Sequence, residues 1–279
     1  MGDLHRKIGL GTVQFGTNYG ISNSTGQTNP EEVNRVLKTA ISVDITLLDT
    51  AAAYGSAEKV IGQNDLSGFS IISKFMPPES GQNIESQIAK TLKNLNVSSI
   101  YGYLAHRPVH LARNLSIWDD LIDLKSKGYV QNIGLSLNSP DELDPFLNHD
   151  IFPDIIQLPY HYFDRRFERV MSLMKGKDCE IHARSAFFQG LFFMDPSRLD
   201  SFFDELKPAL KRLQAEIKNI PGSLLHFVLQ NPLIDNVIIG VENNRQLIEN
   251  VKSLKQPEKL PELTETFSDH LLTPSKWPK

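Results

Sequence analysis

The chain has 279 residues, 40% hydrophobic, 22% charged and 9% aromatic, with 29 Lys and Arg against 33 Asp and Glu for a net charge of −4. A chain of this length buries enough surface to need no disulfide or metal for its core. The single cysteine, Cys179, excludes an internal disulfide framework and a Cys-rich zinc site, and the slight acidic excess argues against a nucleic-acid binder.

At the start, Met-Gly-Asp-Leu-His-Arg-Lys has no apolar leader core, and Arg6 stands where a myristoylation signal wants Ser or Thr. No apolar run approaches the roughly 20 residues of a membrane span. A cytoplasmic globular protein, with no membrane and no nucleic acid among its partners, is the expectation. Short β-branched or apolar runs then recur at Lys7–Phe15, Ile45–Thr50, Ser70–Phe75, Ser99–His106, Tyr129–Leu137, Ile155–His161, Glu180–Ala186 and Asn236–Val241. Several are continuous rather than alternating, as suits a parallel strand covered on both faces.

Helical spacing fills the gaps. Asn29 as N-cap and Pro30 at the first position open a helix over Pro30–Ser42, with Val33, Val36, Leu37 and Ala40 on one face. Ile84–Leu95 and Leu115–Lys127 repeat the pattern, Gly128 stopping the latter. Ser139 reads as an N-cap to Pro140–Leu147, and helices are expected at Phe167–Lys175, around Asp200–Lys218, at Ser223–Gln230 and at Asn244–Leu254. The residues from about Gln256 are rich in Pro, Lys and Glu and read as a solvated tail that could cover one end of the fold. Eight βα units in one chain predict an α/β protein, a single (β/α)8 TIM barrel. An open doubly wound sheet would be favoured by a GxGxxG after the first strand, which the sequence lacks.

A barrel builds its active site at the C-terminal ends of its strands. There the sequence sets Asp49, Lys74 and His106 at the ends of three consecutive strands, with Tyr54 five residues past Asp49. An ammonium beside a phenol favours the phenolate, a carboxylate paired with the lysine keeps it charged, and a rim histidine can donate to a substrate oxygen. That combination suits protonation of a carbonyl oxygen while hydride reaches its carbon. Singly, Asp49 could cap a short helix near Ser56, Lys74 could hold its head in water, and His106 could be a satisfied loop histidine. Their joint placement carries the reading. No metal is expected.

The sequence resembles the aldo-keto reductases from Lys7 to about Val251. Ile8-Gly9-Leu10-Gly11-Thr12 is similar to the family's opening GlGT segment, Leu48-Asp49-Thr50-Ala51 through Tyr54-Gly55, Glu58 and Gly62 to its LDTAxxYGxxExxxG signature, and Ser73-Lys74 to the SK of its third strand. By this resemblance Tyr54 is the general acid/base, Lys74 modulates it, Asp49 partners Lys74, and His106 orients the substrate. The resemblance also implies an extended NAD(P)H across the barrel mouth. Gly11 and Thr12 would lie under it, Ser136 and Gln157 at its carboxamide, and Arg184, Ser185, Phe187, Gln189 and Gly190 along nicotinamide and diphosphate. Gly240, Gln246, Glu249 and Asn250 would meet the adenosine end. The segment Arg184-Ser185-Ala186-Phe187-Phe188-Gln189-Gly190 resembles a branch with an RSxFxQG pattern.

Three positions depart from the pattern. Leu137 replaces an Asn, Arg184 replaces an aromatic, and Gly240 and Gln246 stand where a Lys and an Arg grip the 2′-phosphate, with Arg245 adjacent. The resemblance implies NADPH, and these departures make NADH the alternative. Phe15, Tyr19, Phe75, Arg107, Tyr160 and Tyr162 are candidate pocket residues for a small carbonyl or sugar substrate. Two rival readings are a Schiff-base aldolase or isomerase with Lys74 as nucleophile, and a non-catalytic nicotinamide-binding sensor.

Overall fold

The computed structural model describes residues 4–23, 25–78 and 83–278. Residues 1–3, part of the stretch read above for targeting signals, lie outside it. Eight strands, each parallel to its neighbours, close into a barrel in sequence order: β1 (Ile8–Gly11), β2 (Leu47–Asp49), β3 (Ser70–Phe75), β4 (Ile100–Ala105), β5 (Val130–Ser136), β6 (Ile155–Pro159), β7 (Glu180–Arg184) and β8 (Asn236–Gly240). Gly11 is the register partner of both Asp49 and Gly240, which closes the ring and puts those three residues at one level.

The principal helices around it are α1 (Pro30–Ser42), α2 (Ile84–Leu95), α3 (Ser116–Ser126), α4 (Glu168–Lys175), α5 (Lys207–Glu216), α6 (Ile220–Leu229) and α7 (Asn244–Ser253). Asn29 caps α1 by accepting from Glu32 N at 2.9 Å, and the apolar face Val33, Val36, Leu37 and Ala40 is buried. Asn83 and Ser86 form a reciprocal capping box on α2, which ends at left-handed Asn96. Two apolar layers result. Leu47, Ile72, Leu104, Ile155 and Ile238 fill the barrel interior, while a larger core lies between the strands and the helices. Each fully buried large side chain there stabilises the fold by roughly 1.5–3 kcal/mol.

Several expected boundaries move. The first strand stops at Gly11 instead of Phe15, because Val13–Gly16 turns helical and carries Phe15 into the core. The seventh stops at Arg184, where Ser185 is left-handed (φ 67°). Asp200–Lys218 is a short 3-10 turn, Ser201–Phe203, followed by α5, since Pro208 suits only the first turn of a helix. The next helix begins earlier than Ser223, at Ile220, with Asn219 accepting from Gly222 N at 3.2 Å. Ser139 makes no side-chain cap, and the segment after it starts as a 3-10 turn, Pro140–Leu143. The tail is not solvated throughout: Leu271 and Leu272 are buried, and Leu260, Leu263, Phe267 and Trp277 pack on a second apolar cluster with Phe163, Phe188, Phe192 and Phe203.

Candidate active site

The C-terminal strand ends bring Asp49, Lys74, His106 and Tyr54 together. Asp49 pairs in register with Ile72, so Lys74, two residues further along β3, projects from the same inward face one level up. Its ammonium bonds both carboxylate oxygens of Asp49, at 2.7 and 2.6 Å, and Thr50 O at 3.1 Å. Both side chains are buried, 1% and 4% exposed. Lys74 therefore keeps no head in water, and Asp49 caps no helix. The short helix Ala57–Ile61 follows Ser56 without a side-chain cap.

Tyr54 is half-buried, its ring centroid 5.3 Å from Lys74 Nζ and 5.7 Å from the His106 ring, which it meets edge-on. The turn bearing it is fixed by backbone. Tyr54 N donates to Ala51 O, Ala57 N to Tyr54 O, and Ala52 N to Lys74 O, each at 3.0 Å. Gly16 and Gly55 allow the loop after β1 to touch this turn directly. A Cβ on Gly16 would fall 1.7 Å from Tyr54 O, and one on Gly55 (φ +56°) 2.4 Å from Gly16 O. Glu58 braces the same region from beneath, accepting from Ser73 Oγ (2.8 Å), Thr91 Oγ1 (3.0 Å) and Asn94 Nδ2 (3.0 Å). These bonds tie the short helix to β3 and α2.

His106 continues β4 by one bond, its N–H donating to Phe75 O at 3.0 Å. Burial first, and then the Lys74 ammonium, push its imidazole down to about 4, so it is neutral near pH 7. Among the described residues its buried Nδ1 has no hydrogen-bond partner, unlike a satisfied structural histidine.

The residues expected to meet a coenzyme ring the rest of the mouth. Ser136 and Gln157 are register partners on β5 and β6. Gln157 also donates from Nε2 to Asp49 Oδ1 at 2.7 Å, a link to the ion pair that the sequence did not suggest. Thr12 is fully buried and works as a strut: its hydroxyl and its N–H both donate to Asp49 O, at 2.9 and 3.0 Å. Leu137 turns into the core, and the asparagine missing from that position comes one residue later. Arg184 reaches across β6 to donate to Asn138 Oδ1 (2.7 Å) and Leu137 O (2.9 Å). Among the described residues its hydrogen-bond partners are all neutral, and the Glu142 carboxylate, which accepts from Asn138 N at 2.8 Å, lies within its electrostatic reach, so a half-buried positive charge stands at the mouth with one acid nearby.

Phe188, Gln189 and Gly190 are all left-handed, and this bend meets the loop after β1, where Gln189 Nε2 donates to Tyr19 Oη at 2.9 Å. Phe187 is partly buried beside Phe193. At the last strand, the Gln14 amide lies on Gly240, where a Cβ would meet it at 2.7–2.8 Å. Gln246 folds back so that its Oε1 accepts from Glu242 N at 2.8 Å. Arg245 is committed to Glu249 at 2.6 Å, and Asn250 O accepts from Ser253 Oγ at 2.7 Å. Gln14 and Asn138 carried no spacing signal that would have singled them out.

Of the expected pocket residues, Tyr19 and Arg107 are exposed at the mouth. Phe15 and Phe75 instead belong to the core, and Tyr160 is buried with its hydroxyl bonded to Glu168 (3.1 Å). Tyr162 donates to Pro261 O and lines a cleft of about 620 Å³ on the flank, between α6 and the tail. Phe15 is carried away from the mouth by the helical turn Val13–Gly16, and Phe75, Tyr160 and Tyr162 by the alternation in which residues two apart share the helix-facing side. Among the described residues no group of His, Cys, Asp and Glu could hold a metal, and no helix is long and apolar enough to cross a membrane.

Comparisons with known proteins bear on the fold and the family. The chain is 25% identical over 280 residues to the aldo-keto reductase YhdN of Bacillus subtilis (strain 168), covering 86% of this chain and 82% of that one. It is 28% identical over 144 residues to an aldo-keto reductase of Mycobacterium sp. (strain KMS), and there the match spans about half of each protein, 48% and 52%. Its fold is similar to that of the aldo-keto reductase AKR11C1 of Bacillus halodurans. In the holo form the TM-score is 0.74 at 19% identity, over 91% of this chain and 88% of that one; in the apo form it is 0.70 at 20%, over 83% and 84%. The model of the Aldo/keto reductase family matches residues 7–265, and the chain belongs to that family.

Proposed function

We propose that the protein is a nicotinamide-dependent oxidoreductase that interconverts an aldehyde or ketone with the corresponding alcohol, aldoses and sugar derivatives being within its reach. The observation that carries this is the buried Lys74–Asp49 pair set 5.3 Å from the Tyr54 ring, with a neutral His106 ring 5.7 Å from the same ring. Tyr54 Oη gives its proton to the carbonyl oxygen as the carbon is reduced, and takes it back in the oxidative direction. The Lys74 ammonium, held by Asp49 and Thr50 O, stabilises the phenolate left behind. His106 donates a hydrogen bond to the same substrate oxygen and fixes its orientation. Exposed Arg107 and Tyr19 offer the polar contacts at the rim.

The residues present suit a nicotinamide dinucleotide. Arg184 offers a half-buried cation for a diphosphate, beside Ser185, Phe187, Gln189 and Gly190. Gln157 has a second Nε2 hydrogen to give, next to the Ser136 hydroxyl, for a carboxamide. Gly11, Gly240, Gln246, Glu249 and Asn250 surround the far end, where the adenosine would lie. Bound there, the coenzyme supplies or accepts the hydride.

The Schiff-base alternative is disfavoured because all three Lys74 N–H bonds are engaged and the amine is buried. The test is Tyr54→Phe assayed on a panel of carbonyl compounds with both reduced coenzymes. Turnover should fall by about 10²–10⁴-fold, with coenzyme binding, read by fluorescence titration, retained. Unchanged reduction would remove Tyr54 from the mechanism. Coenzyme binding with no turnover of any carbonyl by the unaltered protein would instead leave a nicotinamide-binding sensor.

A further inference from the structure

NADH and NADPH differ only at the adenosine ribose, which carries either a 2′-hydroxyl or a phosphate of about two negative charges. A site for the phosphate needs a cation or free backbone N–H groups, and a site for the hydroxyl needs an acceptor. The corner between β8 and α7 supplies acceptors. No cation can project from position 240 without displacing the Gln14 amide that lies on Gly240.

Two of the N-terminal N–H groups of α7 are already claimed. Asn244 N donates to the Glu32 carboxylate at 2.6 Å and Gln246 N to Asn243 Oδ1 at 3.0 Å. Glu32 thus occupies the place an anionic ligand would take. That backbone bond, the strongest influence on it, holds its carboxyl below the ordinary range, so it stays charged. Both nearby cations are paired, Arg245 with Glu249 and Arg35 with Glu32. Arg184 points the other way, toward Asn138.

Three acids, Glu32, Glu242 and Glu249, therefore face two bases. Among the described residues the unpaired one is Glu242, whose Oε2 accepts only from the Thr25 hydroxyl at 3.1 Å. Two more acceptors, Gln14 Oε1 and Asn244 Oδ1, are buried without donors among those residues.

We infer that this corner selects a ribose 2′-hydroxyl and rejects a 2′-phosphate, with Glu242 as the discriminating residue, so that the protein binds NADH in preference to NADPH. The inference rests on the reading above that the adenosine end lies against β8 and α7. A carboxylate that accepts from a 2′-hydroxyl repels a phosphate in the same place.

Parallel fluorescence titrations of the full chain with NADH and NADPH at low salt test it, with dissociation constants as the readout. NADH should bind at least about tenfold more tightly, and the ratio should shrink as salt screens the repulsion. Glu242→Gln keeps the shape and removes the charge, so it should cut the ratio severalfold, chiefly by tightening NADPH. Glu242→Lys should reverse the preference. NADPH binding as tightly as NADH to the unaltered protein overturns the inference while leaving the coenzyme reading intact. A ratio unmoved in both variants, with circular dichroism unchanged, removes Glu242 from the selection. Failure of both coenzymes to bind sinks the reading on which it rests as well.

Discussion

Replacing Asp49 by Asn would leave the Lys74 ammonium buried beside a neutral amide. The pair is 1% and 4% exposed, and its two N···O contacts are 2.7 and 2.6 Å. With an effective dielectric near 20, opposite charges about 3–4 Å apart attract by roughly 4–6 kcal/mol. The amide oxygen retains one hydrogen bond but none of that charge attraction, and Gln157 Nε2 loses a charged acceptor. Removing one partner of a buried pair typically costs about 3–5 kcal/mol, and we expect a loss of that size in urea unfolding at pH 7. The companion variant Asp49→Asn/Lys74→Met removes both charges and should return to within about 2 kcal/mol of the parent, since an apolar replacement of a buried pair is often neutral. The cycle is completed by Lys74→Met alone. A single-variant loss below about 1 kcal/mol, or a double variant worse than the sum of its parts, would refute the claim that the charges depend on each other.

Acid should destabilise the fold over a defined window. Burial, first among the influences on both groups, pushes His106 and His161 down to about 4, while in the unfolded chain each titrates near the ordinary 6.5. Below that value the unfolded state binds protons that the folded state refuses, so stability is full above about 6.5 and falls as pH drops toward 4, by roughly 3 kcal/mol for each histidine. His161, packed against Phe188 with ring centroids 4.3 Å apart and the rings tilted by 31°, can be replaced by Phe. The urea midpoint of that variant should depend less steeply on pH, and an unchanged slope would exclude His161 as a source. Gly16→Ala forces a Cβ against Tyr54 O, and the backbone must move to admit it. We expect about 1–3 kcal/mol of lost stability and a larger fall in kcat than in coenzyme affinity. Full activity in that variant would show that the Tyr54 turn tolerates displacement.

The barrel was legible because its parallel strands are buried on both faces and read as continuous apolar runs, punctuated by Asn29-Pro30 and Gly128. The four catalytic candidates were legible because strand ends in a barrel share one level. What stayed hidden depended on which way side chains face. Phe15, Phe75, Tyr160 and Tyr162 have the composition of a pocket wall, but a helical turn after β1 and the alternation along the strands aim them elsewhere. The bond from Gln157 to Asp49 spans 108 residues and has no local trace. Nor could composition distinguish a free Arg245 from one held by Glu249 four residues on. The tail's Pro, Lys and Glu content concealed its scattered apolar residues, among which Phe267 meets Phe163 and Trp277 meets Phe188 and Phe203.

The backbone contact at Gly16 and Gly55 has a mechanical meaning. Where two main chains meet with no side chain between them, the joint has no rotamers to exchange and no ionisable group to lose. The seat of the phenol is therefore held at this joint by main chain alone. Substitutions on the surrounding rim can reshape what enters the barrel without shifting the Tyr54 backbone. The same rigidity makes this joint a poor place for change, since the space of a single methyl group is not there to be found.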